Sequence, residues 1–181
     1  MSNTIAMVLF PGLTQLDLTG PYEVFNRMPS TKVVLLSSSL APVRTEWGLT
    51  LMPDATFESS PDFDVVCVPG GWGVNQALES RELIGFLRDR AEHARYVTGG
   101  GVTAGIDLAL VIAAEMFGDG VAQEIQLAIE YDPAPPFASG SPVTAPAEVR
   151  DSVLKRSASA LSDRRAIIER LTAARQAQIC E

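Results

Sequence analysis

The chain has 181 residues, 46% hydrophobic and 20% charged, with a formal net charge of −8. That size and balance suit one globular α/β-sized domain with a real core, and the negative excess argues against a nucleic-acid partner, whose phosphates it would repel. Two cysteines, Cys67 and Cys180, are too few for a disulfide scaffold and fit a reducing cytosol.

Ile5 to Phe10 is an unbroken apolar run closed by Pro11-Gly12, as expected of a strand buried on both faces. No basic leader precedes it and no segment has the length of a membrane span, so a cytoplasmic location with no membrane partner is expected. Thr14 opens a helical stretch with Asp17 placed as a capping-box partner, and Gly20-Pro21 predicts a kink or a second start. Lys32 to Ser37 reads as a second strand, and Val43 to Leu51 as a short hairpin around Trp47-Gly48. Asp64 to Val68 is a third buried strand ended by Pro69-Gly70-Gly71.

Val74 to Ala94 reads as one helix with Leu78, Leu83, Ile84, Phe86 and Leu87 inward, and Tyr96 to Thr98 as a fourth short strand. From Val102 to Tyr131 the apolar spacing is helical, with Leu127 among the inward positions and Gly118 and Gly120 dividing it in two. Prolines 133, 135 and 136 force a loop that continues to Pro146. Ala147 to Ala177 closes the chain as a charged helix. Strands alternating with helices predict a parallel α/β sheet. Residues 1–146 are expected to form this domain, with 147–181 a C-terminal helix packed on it.

The centre of the pattern is Tyr96-Val97-Thr98-Gly99-Gly100-Gly101-Val102, a strand running through three glycines into a helix. Ligands sit at such turns because the helix N-terminus presents free N–H groups. Gly99-x-Gly101-x-x-Ala104, with Asp119 twenty residues on, also fits a permissive dinucleotide fingerprint. That motif needs a second strand before the acid, where this sequence predicts helix, so a tight glycine turn is the preferred reading.

Asp17 near the end of the first strand suits a general acid or base, or equally a helix cap. Glu23, six residues on, is a candidate carboxylate partner for it. Gly70-Gly71 could offer backbone N–H groups to an oxyanion, with Trp72 lining the same cleft. Cys67, flanked by Val66 and Val68, reads as a core residue, and Cys180 as incidental at the C-terminus. His93 is the one histidine, in a helix end that solvent explains. One histidine and two unclustered cysteines give no support to zinc or to a Ser-His-Asp triad.

Together several stretches resemble the DJ-1/PfpI superfamily: Leu9-Phe10-Pro11, Gln15 to Pro21, and Val66-Cys67-Val68-Pro69-Gly70-Gly71. Gly99 to Asp107, Glu130 to Phe137 and Gly140-Ser141-Pro142 look specifically like isocyanide (isonitrile) hydratases. The resemblance covers nearly the whole chain. It implies a homodimeric flavodoxin-like sandwich that adds water to R–N≡C and gives an N-substituted formamide, with no metal or organic cofactor. It also implies a cysteine on a strand-to-helix elbow that attacks the isocyanide carbon. An acid matching Asp17 would handle the protons, and Gly70-Gly71 would bound the cleft.

The chain departs from that pattern between residues 98 and 99. In the family the strand matching Arg95 to Thr98 runs into the cysteine elbow, and further elements precede the triple-glycine turn. Here Thr98 joins Gly99 directly, and Gly101 stands about where the nucleophile would be. The expected site is therefore Asp17 with Gly70, Gly71, Trp72, Gly99, Gly100 and Gly101, and no thiol. Three readings follow: a crippled isocyanide hydratase, a dimeric pseudoenzyme binding a small molecule or a protein, or a shortened chain without a function of its own.

Overall fold

The computed structural model describes residues 3–91, 93–100 and 102–179. Its first compact unit is Met1–Tyr131 and its second is Asp132–Glu181. The first unit is built on a parallel sheet. Strands β1 (Asn3–Val8), β2 (Thr31–Ser37), β5 (Ala55–Thr56), β6 (Val65–Pro69) and β7 (Tyr96–Gly100) lie in the order β5-β2-β1-β6-β7. β1 and β6 form the centre, which is why Ile5 to Val8 and Val65 to Cys67 are continuous buried runs rather than alternating ones. This is the flavodoxin-like α/β architecture expected from the sequence. Among the described residues no helix is long and apolar enough to cross a membrane.

Helix α1 (Gln15–Phe25) connects β1 to β2, and α3 (Arg81–Ala91) connects β6 to β7. The two crossovers leave the β1/β6 pair in opposite directions, so the right-handed rule puts the helices on opposite faces of the sheet. Packing follows that assignment. α1 lies against α4 (Val102–Phe117), while Leu83 and Phe86 of α3 join Phe57 and Phe63 in the same apolar core. The Phe86 ring stacks on Phe57 with centroids 4.7 Å apart and meets Phe63 at 5.9 Å. In open α/β sheets ligands bind beyond the carboxyl ends of the strands where the order reverses, which here is between β1 and β6. That edge positions the candidate site.

Several predicted elements change on inspection. The helix after β1 neither kinks apart nor restarts at Gly20-Pro21: α1 runs through Pro21, and both residues are buried. A Cβ on Gly105 would approach the Pro21 ring to 3.2 Å, so close packing on α4 holds α1 together where one backbone hydrogen bond is missing. The single helix expected over Val74 to Ala94 is two, α2 (Val74–Ala77) and α3. Ser80 starts the second by accepting a hydrogen bond from the Leu83 N–H at 3.2 Å, an N-cap that apolar spacing does not reveal. Ile84 and Leu127, both expected inward, are exposed.

Other elements stand as read. β3 (Val43–Arg44) and β4 (Thr50–Leu51) form the antiparallel hairpin around Trp47-Gly48. Gly118, at φ +90°, alone separates α4 from α5 (Asp119–Ala128); Gly120, also expected to divide them, lies inside α5. α4 runs on unbroken to Phe117, which removes the strand a dinucleotide fold requires. In the second unit, residues 132–146 form no helix or strand, and α6 (Ala147–Ile179) follows.

Candidate functional site

Three segments meet at the carboxyl ends of β1 and β6. The turn after β1 and the turn after β6 are joined by two main-chain hydrogen bonds, Thr14 N to Gly70 O at 2.9 Å and Gly73 N to Gly12 O at 3.0 Å. A Cβ on Gly71, whose φ is +126°, would lie 2.5 Å from Thr14 N, and one on Gly73 would lie 1.9 Å from Pro11 O. The glycines after β6 therefore let two backbones touch. The parallel register then sets Gly99 beside Val68 and Gly100 beside Pro69, so the glycine run of β7 ends next to the Gly70 turn. Gly101 lies outside the described residues.

Asp17 is brought into this junction from the first turn of α1. It is 7% exposed, and its Oδ2 accepts a hydrogen bond from the Gly70 N–H at 3.0 Å. Its Oδ1, like the Thr45 hydroxyl, is buried with no hydrogen-bond partner among the described residues, a costly condition for a polar atom. The capping-box arrangement is not formed. Thr14 occupies the N-cap position without a side-chain cap bond, and the Asp17 carboxylate reaches across to β6 instead. Gly70 thus holds the carboxylate, and its N–H is committed to Asp17 rather than offered to an oxyanion. Glu23 does not join Asp17. It is exposed and pairs with Arg27 one turn along α1. Trp72 follows the glycines with 48% of its surface exposed.

Burial pushes the Asp17 carboxyl above its ordinary value of 3.8; the Gly70 N–H partly opposes that shift and the charge of Glu46 adds to it. The folded chain then binds this proton more tightly than the unfolded chain. Its stabilisation is complete below 3.8 and is lost as pH rises through the higher folded-state value. Asp17→Asn keeps an oxygen for Gly70 and removes the charge. Its stability relative to the parent is expected to rise between acid and neutral pH, measured as urea midpoints. A difference that stays constant with pH would mean that Asp17 is not the group responsible.

Cys67, on β6, is buried, and burial with the nearby Asp17 charge raises its thiol to about 12. Iodoacetamide is expected to leave it unmodified in the native chain at pH 8 and to alkylate it in denaturant, read by mass spectrometry. Native-state labelling at Cys67 would show a far more open β6. Cys180 lies outside the described residues. His93 is exposed in the turn after α3, beside a cleft of about 550 Å³ lined by Asp62, Phe63, Asp89 and Arg90. That cleft sits where the chain enters β6, at the opposite end from Asp17. Arg90 there is already engaged, 3.1 Å from Asp62 and over the Phe63 ring.

Asp17 is thus a buried acid on the first helix, hydrogen-bonded by the glycine turn that follows β6. Residues 3–115 match the DJ-1/PfpI family. The chain belongs to this family. Isonitrile hydratase from Pseudomonas putida is 40% identical over 223 residues, covering 96% of this chain and 98% of that protein. A match of 223 positions against 181 residues leaves at least 42 positions with no residue here, the difference of the two lengths. A THiJ/PfpI family protein from Pseudomonas syringae superposes with a TM-score of 0.89 at 30% identity, over 92% of this chain and 90% of that one. Oxidised DJ-1 from Toxoplasma gondii shares the fold, with a TM-score of 0.63 at 12% identity, over 73% of this chain and all of the other.

Reading the sequence alone missed Glu46 and Gly73. Glu46 stands in the hairpin loop and reaches the α1 N-terminus only through long-range docking. Gly73 follows Trp72 as one more turn glycine, and no local pattern tells that Pro11 lies against it.

Proposed function

We propose that the chain is an isonitrile hydratase-like DJ-1/PfpI protein that has the acid of the site without its thiol. It does not hydrate isonitriles at an enzymatic rate. One observation carries this reading: Asp17 Oδ1 is buried without a partner among the described residues, while Cys67 on β6 is a core residue with its thiol raised to about 12. In the relatives' chemistry, as the resemblance implies it, a thiolate attacks the isocyanide carbon and the acid delivers the proton. On this reading Asp17 is the second component, and no residue supplies the first. The 223-residue match is longer than the 181-residue chain, which supports a chain shortened relative to that protein. The test is formamide formation from an aryl isocyanide by the purified chain, with Asp17→Asn beside it. Turnover that depends on Asp17 would overturn the proposal.

A second reading rests on the same unpartnered oxygen. A small molecule that donates or accepts a hydrogen bond would satisfy Oδ1, making the chain a binding module of the same descent. A saturable rise in the unfolding midpoint with an aryl formamide, absent in Asp17→Asn, supports that reading. No rise at any concentration removes it.

A further inference from the structure

Past the carboxyl ends of β1 and β2 the covering chain bends. α2 stops at Ala77, a turn carries the chain through Ser80, and α3 begins at Arg81 behind that cap. Between this bend and the strand ends lies a cavity of about 230 Å³. Its walls are apolar: Leu9 after β1, Phe57 after β5 and Leu83 of α3 are buried, and Ala77 is half-buried.

Two hydroxyls line the same cavity with opposite hydrogen-bonding capacity. Ser37, the last residue of β2, is 4% exposed, and its Oγ donates to the Leu9 carbonyl at 3.2 Å. Its hydrogen is committed and its lone pairs remain, so toward a ligand it accepts. Ser80 is the reverse. Its Oγ accepts from the Leu83 N–H at 3.2 Å, which leaves its hydrogen to donate. No described residue lining the cavity carries a charge.

Size and chemistry together define an occupant. An apolar cavity of about 150 Å³ accepts benzene, so the larger volume here takes an aromatic ring and a substituent of a few atoms. One acceptor and one donor in apolar walls match a substituent that carries both an N–H and a carbonyl. An ion would lose its hydration there without meeting a counter-charge.

We propose that this cavity is a binding site for a small uncharged aromatic amide, its N–H donating to Ser37 and its carbonyl accepting from Ser80. The site lies on the α2–α3 side of the strand ends and makes no use of Asp17. It stands whether or not the chain turns over isonitriles.

The experiment is an NMR titration of the full chain with benzamide, and with benzoate as the charged molecule of the same shape. Benzamide is expected to give saturable shifts, with NOEs from its ring protons to the Leu9 and Leu83 methyls; benzoate is expected to give neither. Ala77→Leu puts three more carbons into the cavity and is expected to weaken benzamide at least tenfold. Ser37→Ala keeps the space and removes the acceptor, and should weaken it roughly fivefold. NOEs to Trp72 or the Gly70 turn instead, equal binding of benzoate, or an unchanged affinity in Ala77→Leu overturns the proposal. So does a titration that never saturates, which would leave the cavity to water. Should Ala77→Leu fail to fold, the NOEs in the parent chain decide.

Discussion

Given an aryl isocyanide, the purified chain is expected to release formamide no faster than buffer. In a hydrolase series, removing the nucleophile lowered turnover about a millionfold, which corresponds to roughly 8 kcal/mol of transition-state stabilisation. A positioned general acid contributes about 10²–10⁴ in rate, and Asp17 has nothing to act upon until a nucleophile has added to the carbon. Cys67 cannot stand in. With its thiol at about 12, its thiolate fraction at pH 7 is on the order of one in 10⁵, and its side chain is buried among Val65, Val66 and the core of β1. The assay should be run with Asp17→Asn and with a chain pretreated with iodoacetamide. Formamide formation lost in both variants would reveal a working thiol and sink the proposal. Formation equal to buffer in all three fits a site with an acid alone.

Much of the fold was legible because the physics that sets it is local. Ile5 to Phe10 and Val65 to Val68 are solid apolar runs, which only strands covered on both faces tolerate, and they became the two central strands β1 and β6. Gly118 divided α4 from α5 because a residue at φ +90° ends a helix wherever it stands. Legibility failed where long-range packing overrode a local rule. Pro21 should have broken α1, yet its ring is buried against Gly105, eighty-odd positions away in sequence. Ser80 divided α2 from α3 through a side-chain cap that leaves no trace in apolar spacing.

The site shows the same division. Asp17 and Gly70 were readable as candidates from their places after two strands, and the structure joins them by one hydrogen bond. Glu23 looked like the partner carboxylate because it is near in sequence. On α1 it lies almost two turns from Asp17 and turns to Arg27. Glu46 is the carboxylate that arrives, thirty-two positions from the Thr14 that holds it. A two-dimensional sheet places its loops by register and crossover, so residues that meet at its edge carry no common local signal.

Replacing Gly73 by alanine is expected to destabilise the first unit severely, although Gly73 has an ordinary helical backbone of φ −64° and ψ −12°. The cause is purely spatial: a Cβ there would stand 1.9 Å from the Pro11 carbonyl oxygen, 2.9 Å from the Gly12 carbonyl carbon and 3.0 Å from Gly12 Cα. All three are main-chain atoms. They cannot rotate away as a side chain would, and the Gly73 N–H to Gly12 O bond holds the two turns at that separation. Overpacking of a compliant core costs about 1–3 kcal/mol, and a rigid backbone neighbour puts this case at about 3 kcal/mol or more, a fall of roughly 10 °C in midpoint for a unit of this size. Gly85 is the control. It lies within α3 with nothing within 4 Å of its would-be Cβ, so alanine there relieves helix entropy and should stabilise by about 1 kcal/mol. Thermal scans of both variants check the pair. If Gly73→Ala unfolded with the parent, the turns after β1 and β6 would not be in contact, and the bond from Gly70 to Asp17 that they frame would have no support. If it falls while Gly85→Ala rises, the glycines after β6 are there to let one backbone rest on another, and Asp17 owes its place to that contact.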